Sequence, residues 1–319
     1  MSEVKTISTP EDGTMIADFE DFCTWVFVIV DDLWQQIAPQ FRRPGPAPIC
    51  SDSELIAMAL IGEALGMDSE REMLAFWREH RDLFPHIPSQ SRFNRRRRNL
   101  WQAFNLIRRV MLQLLDIAQD AYCVIDSLPV PVMQFYLVPS SPAAVEWRIR
   151  GAAFGKVPSR KETIFGYKLH LLVTFGGLIL DFVLAPANAT DLQVGEELLQ
   201  QHSHLIVLAD KGYVSAPAAE RLWERRYIRL LAIPRQNQKH QWSPGLKHLV
   251  SHFRQIVETV NHQLADQFHI ERNRAHSFWG LATRLHTKLA AHTLLIYINR
   301  LLGKPDWLQI KSLAFPQLA

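Results

Sequence analysis

Two aspartates each follow a short run of apolar residues. Asp126 comes directly after Tyr-Cys-Val-Ile, and Asp210 comes directly after Leu-Ile-Val-Leu-Ala. Such runs are typical of buried β-strands. If the two strands are parallel neighbours, both carboxylates lie at one edge of the sheet, where charges about 4 Å apart repel by several kcal/mol. The pair is then stable only with a cation between the carboxylates or with one of them protonated.

A divalent cation is the simpler solution. Carboxylate and water oxygens are the ligands that Mg²⁺ or Mn²⁺ prefers, and the usual task of such sites is phosphoryl transfer, often with two ions. The best candidate for a third carboxylate is Glu258. It lies in a segment with a helical apolar stripe, on the opposite face together with Arg254, Asn261 and His262. That face either lines a polar cleft or is solvent-exposed surface on which Arg254 and Glu258 form an i,i+4 pair.

The basic residues are unevenly distributed. The net charge is only +3, yet the stretches Arg92–Arg109 and Arg225–Arg254 contain many arginines and lysines and no acidic residue. Two acid-free basic stretches favour a protein that contacts phosphate backbones. The alternative is a pair of solvated helix faces.

The composition predicts a cytoplasmic protein. The longest apolar stretches, Phe22–Val30 and Leu169–Leu184, are too short to span a bilayer or are interrupted by Asp181 and glycines. Acidic residues precede the first apolar run, unlike the basic start of a signal peptide. The three cysteines lack metal-ligand spacing, which fits small buried side chains in a reducing compartment.

The N-terminal third, residues 1–118, is predicted to be helical. Apolar residues recur at helical spacing from Phe19 to Ile37, and capping boxes at Ser51 and Ser69 predict two more helix starts. A long amphipathic helix from Ser91 to Ala118 would begin with Ser-Arg-Phe-Asn and four arginines. This order resembles a helix-turn-helix DNA-binding region, and the alternative is a helical bundle with a basic rim.

Residues 119–319 are predicted to form an α/β region. Short apolar runs rich in Val, Ile, Leu and Phe alternate with helical stretches, which favours a mixed sheet flanked by helices. The segment Pro139–Thr163 has no clear periodicity and predicts a long loop. Asp191, after Pro-Ala-Asn-Ala-Thr, is predicted to be a structural helix N-cap. The tryptophans 77, 101, 223 and 279 are interpreted as core or interface aromatics rather than as base-stacking platforms.

Six segments together carry a family resemblance. They are IDSLPVPV, FGYKLHLLVTFGGLILDFVLAPANATD, LADKGY, IPRQNQ, RQIVETVNHQL and the N-terminal SRFNRRRR, and their co-linear order resembles DDE transposases of the bacterial insertion-sequence 982 family. The resemblance implies a ribonuclease H-like catalytic domain. It also implies that Asp126, Asp210 and Glu258 are the catalytic acids and hold Mg²⁺ or Mn²⁺, with two ions expected.

One departure separates the chain from a related group. In the insertion-sequence 4 group the helix that carries the glutamate also bears a Tyr seven residues before it, an Arg four before it and a Lys seven after it. Here those positions are Ser251, Arg254 and Ala265, so only the arginine agrees. Lys288 or Lys211 is the predicted replacement for the missing lysine as a phosphate contact.

Further basic residues are candidates for DNA contact. Lys168 and His170 alternate outward on a predicted strand, and Arg235, Asn237 and Gln238 follow a strand end; in both cases an ordinary polar surface is the alternative. The predicted DNA-binding residues are Arg92, Arg95, Arg96, Arg97, Arg98, Lys168, Lys211, Arg235, Arg254 and Lys288.

The resemblance implies a Mg-dependent polynucleotidyl transferase and endonuclease. It would cleave double-stranded DNA at the terminal inverted repeats of a transposon and join the freed 3′-OH to target DNA, as a homodimer or larger assembly associated with the bacterial nucleoid. Two alternatives stay open. A ribonuclease H-like nuclease would use the same acids without strand transfer, and a non-catalytic DNA-binding regulator would use only the basic surfaces.

Overall fold

The computed structural model describes residues 16–41, 45–116, 120–157, 160–235, 241–272 and 274–314. Within these ranges the chain forms eleven α-helices and one six-stranded sheet. The chain divides into two compact units. Unit 1 comprises Met1–Leu115, Asp266–Ile270 and Trp279–Ala319, and unit 2 comprises Asp116–Ala265 and Glu271–Phe278.

The helices and strands have the following bounds. The helices are α1 Phe19–Ile37, α2 Asp52–Ala64, α3 Glu70–Glu79, α4 Gln90–Asn99, α5 Trp101–Leu114, α6 Ala143–Ile149, α7 Asp191–Leu199, α8 Ala216–Arg226, α9 Pro244–Asp266, α10 Phe278–Leu301 and α11 Lys311–Ala314. The strands are β1 Tyr122–Met133, β2 Ala153–Val157, β3 Glu162–Thr174, β4 Ile179–Pro186, β5 Ile206–Ala209 and β6 Arg229–Ala232.

The helix starts of unit 1 agree with the sequence. At the start of α2, the N–H of Glu54 donates to Ser51 Oγ at 3.1 Å, and the Glu54 carboxylate accepts from the Ser51 N–H at 2.6 Å. At the start of α3, Ser69 Oγ accepts from the Glu72 N–H at 3.1 Å. These bonds satisfy donors that a helix start otherwise leaves unpaired.

The single long helix predicted from Ser91 is wrong. The chain forms α4 and α5 with a break at Leu100, whose ψ of 11° departs from helical geometry and whose N–H is shared between the carbonyls of Arg96 and Arg97. The break leaves the Leu100 side chain fully buried. Ala118, the predicted end of that helix, lies outside the described residues.

α10 belongs mostly to unit 1, although the sequence placed residues 119–319 in one region. Nearly all of its side chains from Leu281 to Asn299 are buried. The buried side chains of α10 include the charged residues Arg284 and Lys288, so the helix needs buried counterions as well as apolar contacts. The functional division at 118/119 stays a prediction.

A buried charge cluster lies in the interior of unit 1. Glu63 is fully buried and pairs with Lys288 Nζ, with Arg97 at 2.6 Å and with Arg284 at 3.4 Å. Burial alone would raise the pKa of Glu63, but Lys288, Arg284 and Arg97 together hold that pKa below its usual range. One anion thus stabilises three cations that have little access to water.

Removing this anion tests the cluster. We expect Glu63→Gln to lower the free energy of unfolding by about 3–5 kcal/mol, because buried cations would lose their counterion. Urea unfolding followed by circular dichroism measures the change. The control is Glu79→Gln on an exposed position of α3, expected to change stability by less than about 0.5 kcal/mol. Equal stability of the two variants would contradict the assignment.

The sheet of unit 2 is mixed. Along the path β2, β3, β1, β5, β6, the pairs β2–β3 and β3–β1 are antiparallel, and the pairs β1–β5 and β5–β6 are parallel. β4 also pairs antiparallel with β3, beyond the stretch that pairs with β2. The predicted mixed sheet flanked by helices is present. The predicted long loop Pro139–Thr163 is wrong, because it contains α6 and β2.

One face of the sheet carries the hydrophobic core of unit 2. Buried side chains of β1, β3 and β5 pack there with residues of α7 and α8; the cluster includes Cys123, Ile125, Leu172, Val207, Ala209, Leu198, Leu199 and Leu222. This packing fixes the position of β1 against β5, on which the candidate site depends.

Among the described helices, none combines the length and the apolar character that a membrane span requires.

Candidate active site

Asp126 and Asp210 lie side by side on neighbouring parallel strands. β1 and β5 pair with Ile125 opposite Ala209, so the next residue of each chain segment is an aspartate. The parallel pairing assumed from the sequence is therefore present. Asp126 is not at a strand end, however, because β1 continues to Met133 and only β5 stops, at Ala209.

Both aspartates point away from the core of the sheet. Ile125 and Ala209 belong to the hydrophobic cluster, and successive side chains of a strand point to opposite faces. Asp126 and Asp210 therefore share the other face. Helix α9 reaches this face, where the Asn261 side-chain amide donates to Asp126 Oδ2 at 3.1 Å.

Glu258 lies on the same face of α9 as Asn261. Residues three and four apart on a helix are neighbours, with Cβ atoms about 5–6 Å apart, so Arg254, Glu258 and Asn261 form one row. The Glu258 side chain is exposed and, among the described residues, makes no hydrogen bond or ion pair. The i,i+4 pair with Arg254 considered from the sequence is therefore absent.

The environment of Asp126 disfavours its charge. Burial, together with the nearby Asp210 and Asp191, raises the pKa of Asp126 from its ordinary value of 3.8 to about 6. The backbone N–H of Ser127 and the guanidinium of Arg254 act in the opposite direction without cancelling the shift. Crowded carboxylates in a partly dry site attract a proton or a cation.

Asp191 is an additional carboxylate near Asp126, and the sequence reasoning missed it. The N-cap of α7 is Thr190, whose Oγ1 accepts from the Gln193 N–H at 3.4 Å, so the predicted N-cap role of Asp191 is wrong. Asp191 instead accepts from Ser127 Oγ at 3.2 Å and pairs with Lys168 Nζ at 2.9 Å. Its position one residue after a capping threonine was the available signal.

The expected outward position of His170 is wrong. The ring is fully buried, and neither nitrogen has a hydrogen-bond partner. Burial lowers the pKa of His170 to about 4, so the ring is neutral near pH 7. Lys168 is part-buried and its charge is matched by Asp191, so DNA contact by Lys168 stays only a prediction.

The turn after Asp210 brings further groups to the site. The Gly212 N–H donates to Asp210 Oδ1 at 2.7 Å, and a Cβ at Gly212 would come within 2.8 Å of that oxygen and 3.6 Å of Asp191 Oδ2. Tyr213 is buried, and its hydroxyl has no hydrogen-bond partner in the described residues. Burial, and then the charges of the three aspartates, hold the pKa of Tyr213 well above 10.

Two predicted DNA-binding residues lie next to this turn. Lys211 and Arg235 are both exposed, and Arg235 Nε donates to the Lys211 carbonyl at 3.1 Å. Arg254, on α9, is near enough to Asp126 to act against the rise of its pKa. Asn237 and Gln238 lie outside the described residues.

The predicted basic residues of unit 1 separate into two groups. Arg97 and Lys288 are buried against Glu63, so the prediction that they contact phosphate is wrong for this conformation. Arg96 is mostly covered and donates two hydrogen bonds to Asp52. Because its guanidinium is already paired with this carboxylate, Arg96 is a weaker candidate for DNA contact than an exposed, unpaired arginine. Arg92, Arg95 and Arg98 are exposed.

The described residues contain no group of three or more His, Cys, Asp or Glu side chains arranged to hold a metal ion. Asp126 and Asp210 converge through the sheet register, whereas Glu258 shares their face without a described contact to either. Asp191, the additional acid, is held by Lys168.

Comparison with known families bears on this arrangement. Residues 122–294 match the family model of the transposase DDE domain, which is just over half of the chain. The chain belongs to the DDE transposase family. No match was found among the curated proteins or among the solved structures. The matched residues of this DDE transposase begin at the first residue of β1 and include Asp126, Asp210 and Glu258.

Family membership accounts for the fold of unit 2. The mixed sheet with flanking helices fits a ribonuclease H-like DDE domain. Membership also implies a DNA-binding enzyme of the nuclease or transferase class, and DDE transposases generally use divalent metals. The match to the transposase DDE domain does not distinguish between insertion-sequence families, so membership of the insertion-sequence 982 family stays a prediction.

The crowded carboxylates predict a pH-dependent stability in the absence of divalent metal. Because the folded-state pKa of Asp126 is raised to about 6 from 3.8, protonation stabilises the fold. That contribution is present below about pH 4 and is lost as the pH rises through about 6. In EDTA, we expect the free energy of unfolding to fall by about 2 kcal/mol more in the wild type than in Asp126→Asn between about pH 4.5 and 8.

Urea unfolding of both proteins at the two pH values measures this difference. Glu220→Gln is a suitable control, because Glu220 is an exposed acid on α8 and its replacement should leave the pH response of the wild type unchanged. An identical pH response in the wild type and Asp126→Asn would show that Asp126 titrates normally.

Proposed function

We propose that this DDE transposase belongs to the insertion-sequence 982 family and moves DNA by cutting and joining strands. It would cleave double-stranded DNA at transposon ends and join the freed 3′-OH to target DNA. The observation that carries the proposal is the register of β1 and β5, which sets Asp126 beside Asp210 on one face of the sheet. The co-linear segments that resemble this family support the finer assignment.

Glu258 is the proposed third acid. It lies on the face of α9 that already contacts Asp126 through Asn261, one helical turn away. Its exposed carboxylate has no hydrogen-bond or ion-pair partner among the described residues, so rotation of the side chain breaks no such interaction. Asn261 and Arg254 would then hold the helix face against Asp126 and leave Glu258 free to complete the site.

The acidic residues fit a divalent cation. Their oxygens are the hard ligands that Mg²⁺ or Mn²⁺ prefers, and burial together with the nearby Asp210 and Asp191 raises the pKa of Asp126, an environment that a bound cation would relieve. Asp126, Asp210 and Glu258 would hold the metal, with two ions expected. A bound divalent metal supplies Lewis-acid activation of the phosphodiester and of the attacking oxygen.

The other residues would position the site and the DNA. Gly212 and Ser127 hold the carboxylates of Asp210 and Asp191 through the hydrogen bonds described above. Lys168 neutralises Asp191, which limits the total negative charge near the phosphate. Lys211 and Arg235 offer exposed positive charge beside Asp210 and would contact the DNA backbone.

The basic helix of unit 1 would bind the terminal repeats. Arg92, Arg95 and Arg98 on α4 remain exposed after Arg96 and Arg97 are used in ion pairs. Holding two transposon ends together requires at least two active sites, so a homodimer or larger assembly is proposed.

Substituting the acids tests the catalytic assignment. We expect Asp210→Asn and Glu258→Gln each to reduce cleavage of end-containing DNA by about 1,000-fold or more, because each removes a charged metal ligand. DNA binding should persist in both. The matched control is Glu220→Gln, an exposed acid on α8, which should cleave normally. Full activity of Glu258→Gln would remove that residue from the site.

Metal removal separates an enzyme from a binding protein. Cleavage is expected in Mg²⁺ or Mn²⁺ and is expected to be lost in EDTA, while binding of the same DNA is retained. Joining of a pre-cut 3′-OH end to a second duplex, measured on a denaturing gel, separates a transposase from a nuclease. Cleavage without joining would favour the nuclease.

A further inference from the structure

An open cleft of about 580 Å³ lies within unit 1. It is formed by residues of α4, the start of α5 and the start of α10. The lining residues are Ser91, Asn94, Arg95, Arg98, Asn99, Trp101 and Trp279. The volume falls within the range of about 300–1,000 Å³ that is usual for pockets that take small organic groups.

The cleft presents an aromatic surface to solvent. Trp77 is buried as the sequence predicted, but Trp279 is 43% exposed. The Trp101 ring lies 5.8 Å from Trp279 and 5.0 Å from His286 between ring centroids. These two ring contacts hold the Trp101 side chain in position. Trp279 therefore offers indole surface to a planar group that enters the cleft.

The cleft is also positively charged. Arg95 and Arg98 are exposed and, within the part of the chain that the structure describes, form no ion pair. The intervening arginines differ, because Arg96 binds Asp52 and Arg97 binds Glu63. The cleft has no acidic lining residue. Two cations are thus available for an anionic ligand beside an aromatic ring.

We propose that this cleft binds one unpaired nucleotide of a DNA strand. The base would stack on Trp279, and Arg95 and Arg98 would bind the flanking phosphates. Asn99 and Ser91 supply donors and acceptors for the edge of the base. The pocket extends the role of the basic helix from contacting duplex phosphates to holding an unstacked base.

The lining residues favour a nucleotide over a peptide. Protein interfaces have an apolar centre, whereas no aliphatic side chain lines this cleft. Duplex DNA alone would use the arginines but not the indole, since paired bases are stacked on one another. An exposed indole in the same cleft as two unpaired arginines suits a group that is both flat and anionic, as a nucleotide is.

The inference rests on the proposed function only in taking DNA as the ligand. It requires neither metal nor cleavage, so its test is made in EDTA. Failure of the catalytic assignment would leave binding in the cleft unchanged, and failure of the cleft would leave cleavage by Asp126, Asp210 and Glu258 open.

Binding of the full chain to two single strands of equal length tests the proposal. One strand is oligothymidylate and the other is the same backbone without bases, each with a fluorescent label for anisotropy. Because stacking of one base on an aromatic ring is worth about 1–3 kcal/mol, we expect oligothymidylate to bind about 5- to 150-fold more tightly. This preference should disappear in Trp279→Ala and persist in Trp279→Phe.

Two controls make the result specific. Trp223→Ala removes a tryptophan of similar exposure, 45%, on α8 of unit 2, and should keep the preference. Arg92→Ala removes an exposed arginine of α4 that does not line the cleft, and should weaken both strands equally. Unchanged duplex binding by Trp279→Ala would show that this variant is folded.

Three outcomes would overturn the proposal. The first is equal binding of the two strands by the wild type, which would mean attraction to phosphate alone. The second is a base preference that survives Trp279→Ala. The third is binding of free thymidine monophosphate as tight as that of the strand, which would make the cleft a small-molecule site.

Discussion

The register of β1 against β5, which places two carboxylates on neighbouring parallel strands, is the constraint on which the candidate site of unit 2 depends. Ile125 and Ala209 are buried and lie opposite each other in the pairing of β1 with β5. Asp126 and Asp210 are therefore neighbours, because each directly follows one of these two residues. The fold therefore holds an electrostatically unfavourable arrangement in place through hydrophobic packing on the opposite face of the sheet. Stored unfavourable charge of this kind is common at functional sites, where a ligand relieves it.

The surrounding residues compensate that charge only in part. Lys168 neutralises Asp191, and Arg254 and Asn261 approach Asp126 from α9, yet the pKa of Asp126 remains raised. In unit 1 the balance is reversed. Glu63 is a single buried anion among three cations, and it keeps Arg97 and Lys288 inside the helical core. A buried carboxylate thus serves as a structural counterion in unit 1 and as a candidate metal ligand in unit 2.

Much of the fold was predictable from local patterns. The apolar runs form strands, the capping serines precede helices, and the α/β class is present. These features depend on residues that are neighbours in the sequence. The failures have a common cause. The break at Leu100, the strand β2 and the burial of His170 depend on packing partners that are distant in the sequence, which no local periodicity records.

The sequence by itself determined that two aspartates follow short apolar runs, that an apolar-striped helix carries Glu258, and that the basic residues are concentrated in two stretches. Only the tertiary structure decided that β1 and β5 are parallel and in register, that Asp191 joins the site, and which arginines remain exposed. The physical reason is that side-chain type follows from local sequence, whereas proximity and loss of solvent follow from contacts between distant segments. The sequence does not distinguish the four consecutive arginines 95–98 from one another. In the structure, Arg97 is buried against Glu63, whereas Arg95 and Arg98 are exposed to solvent.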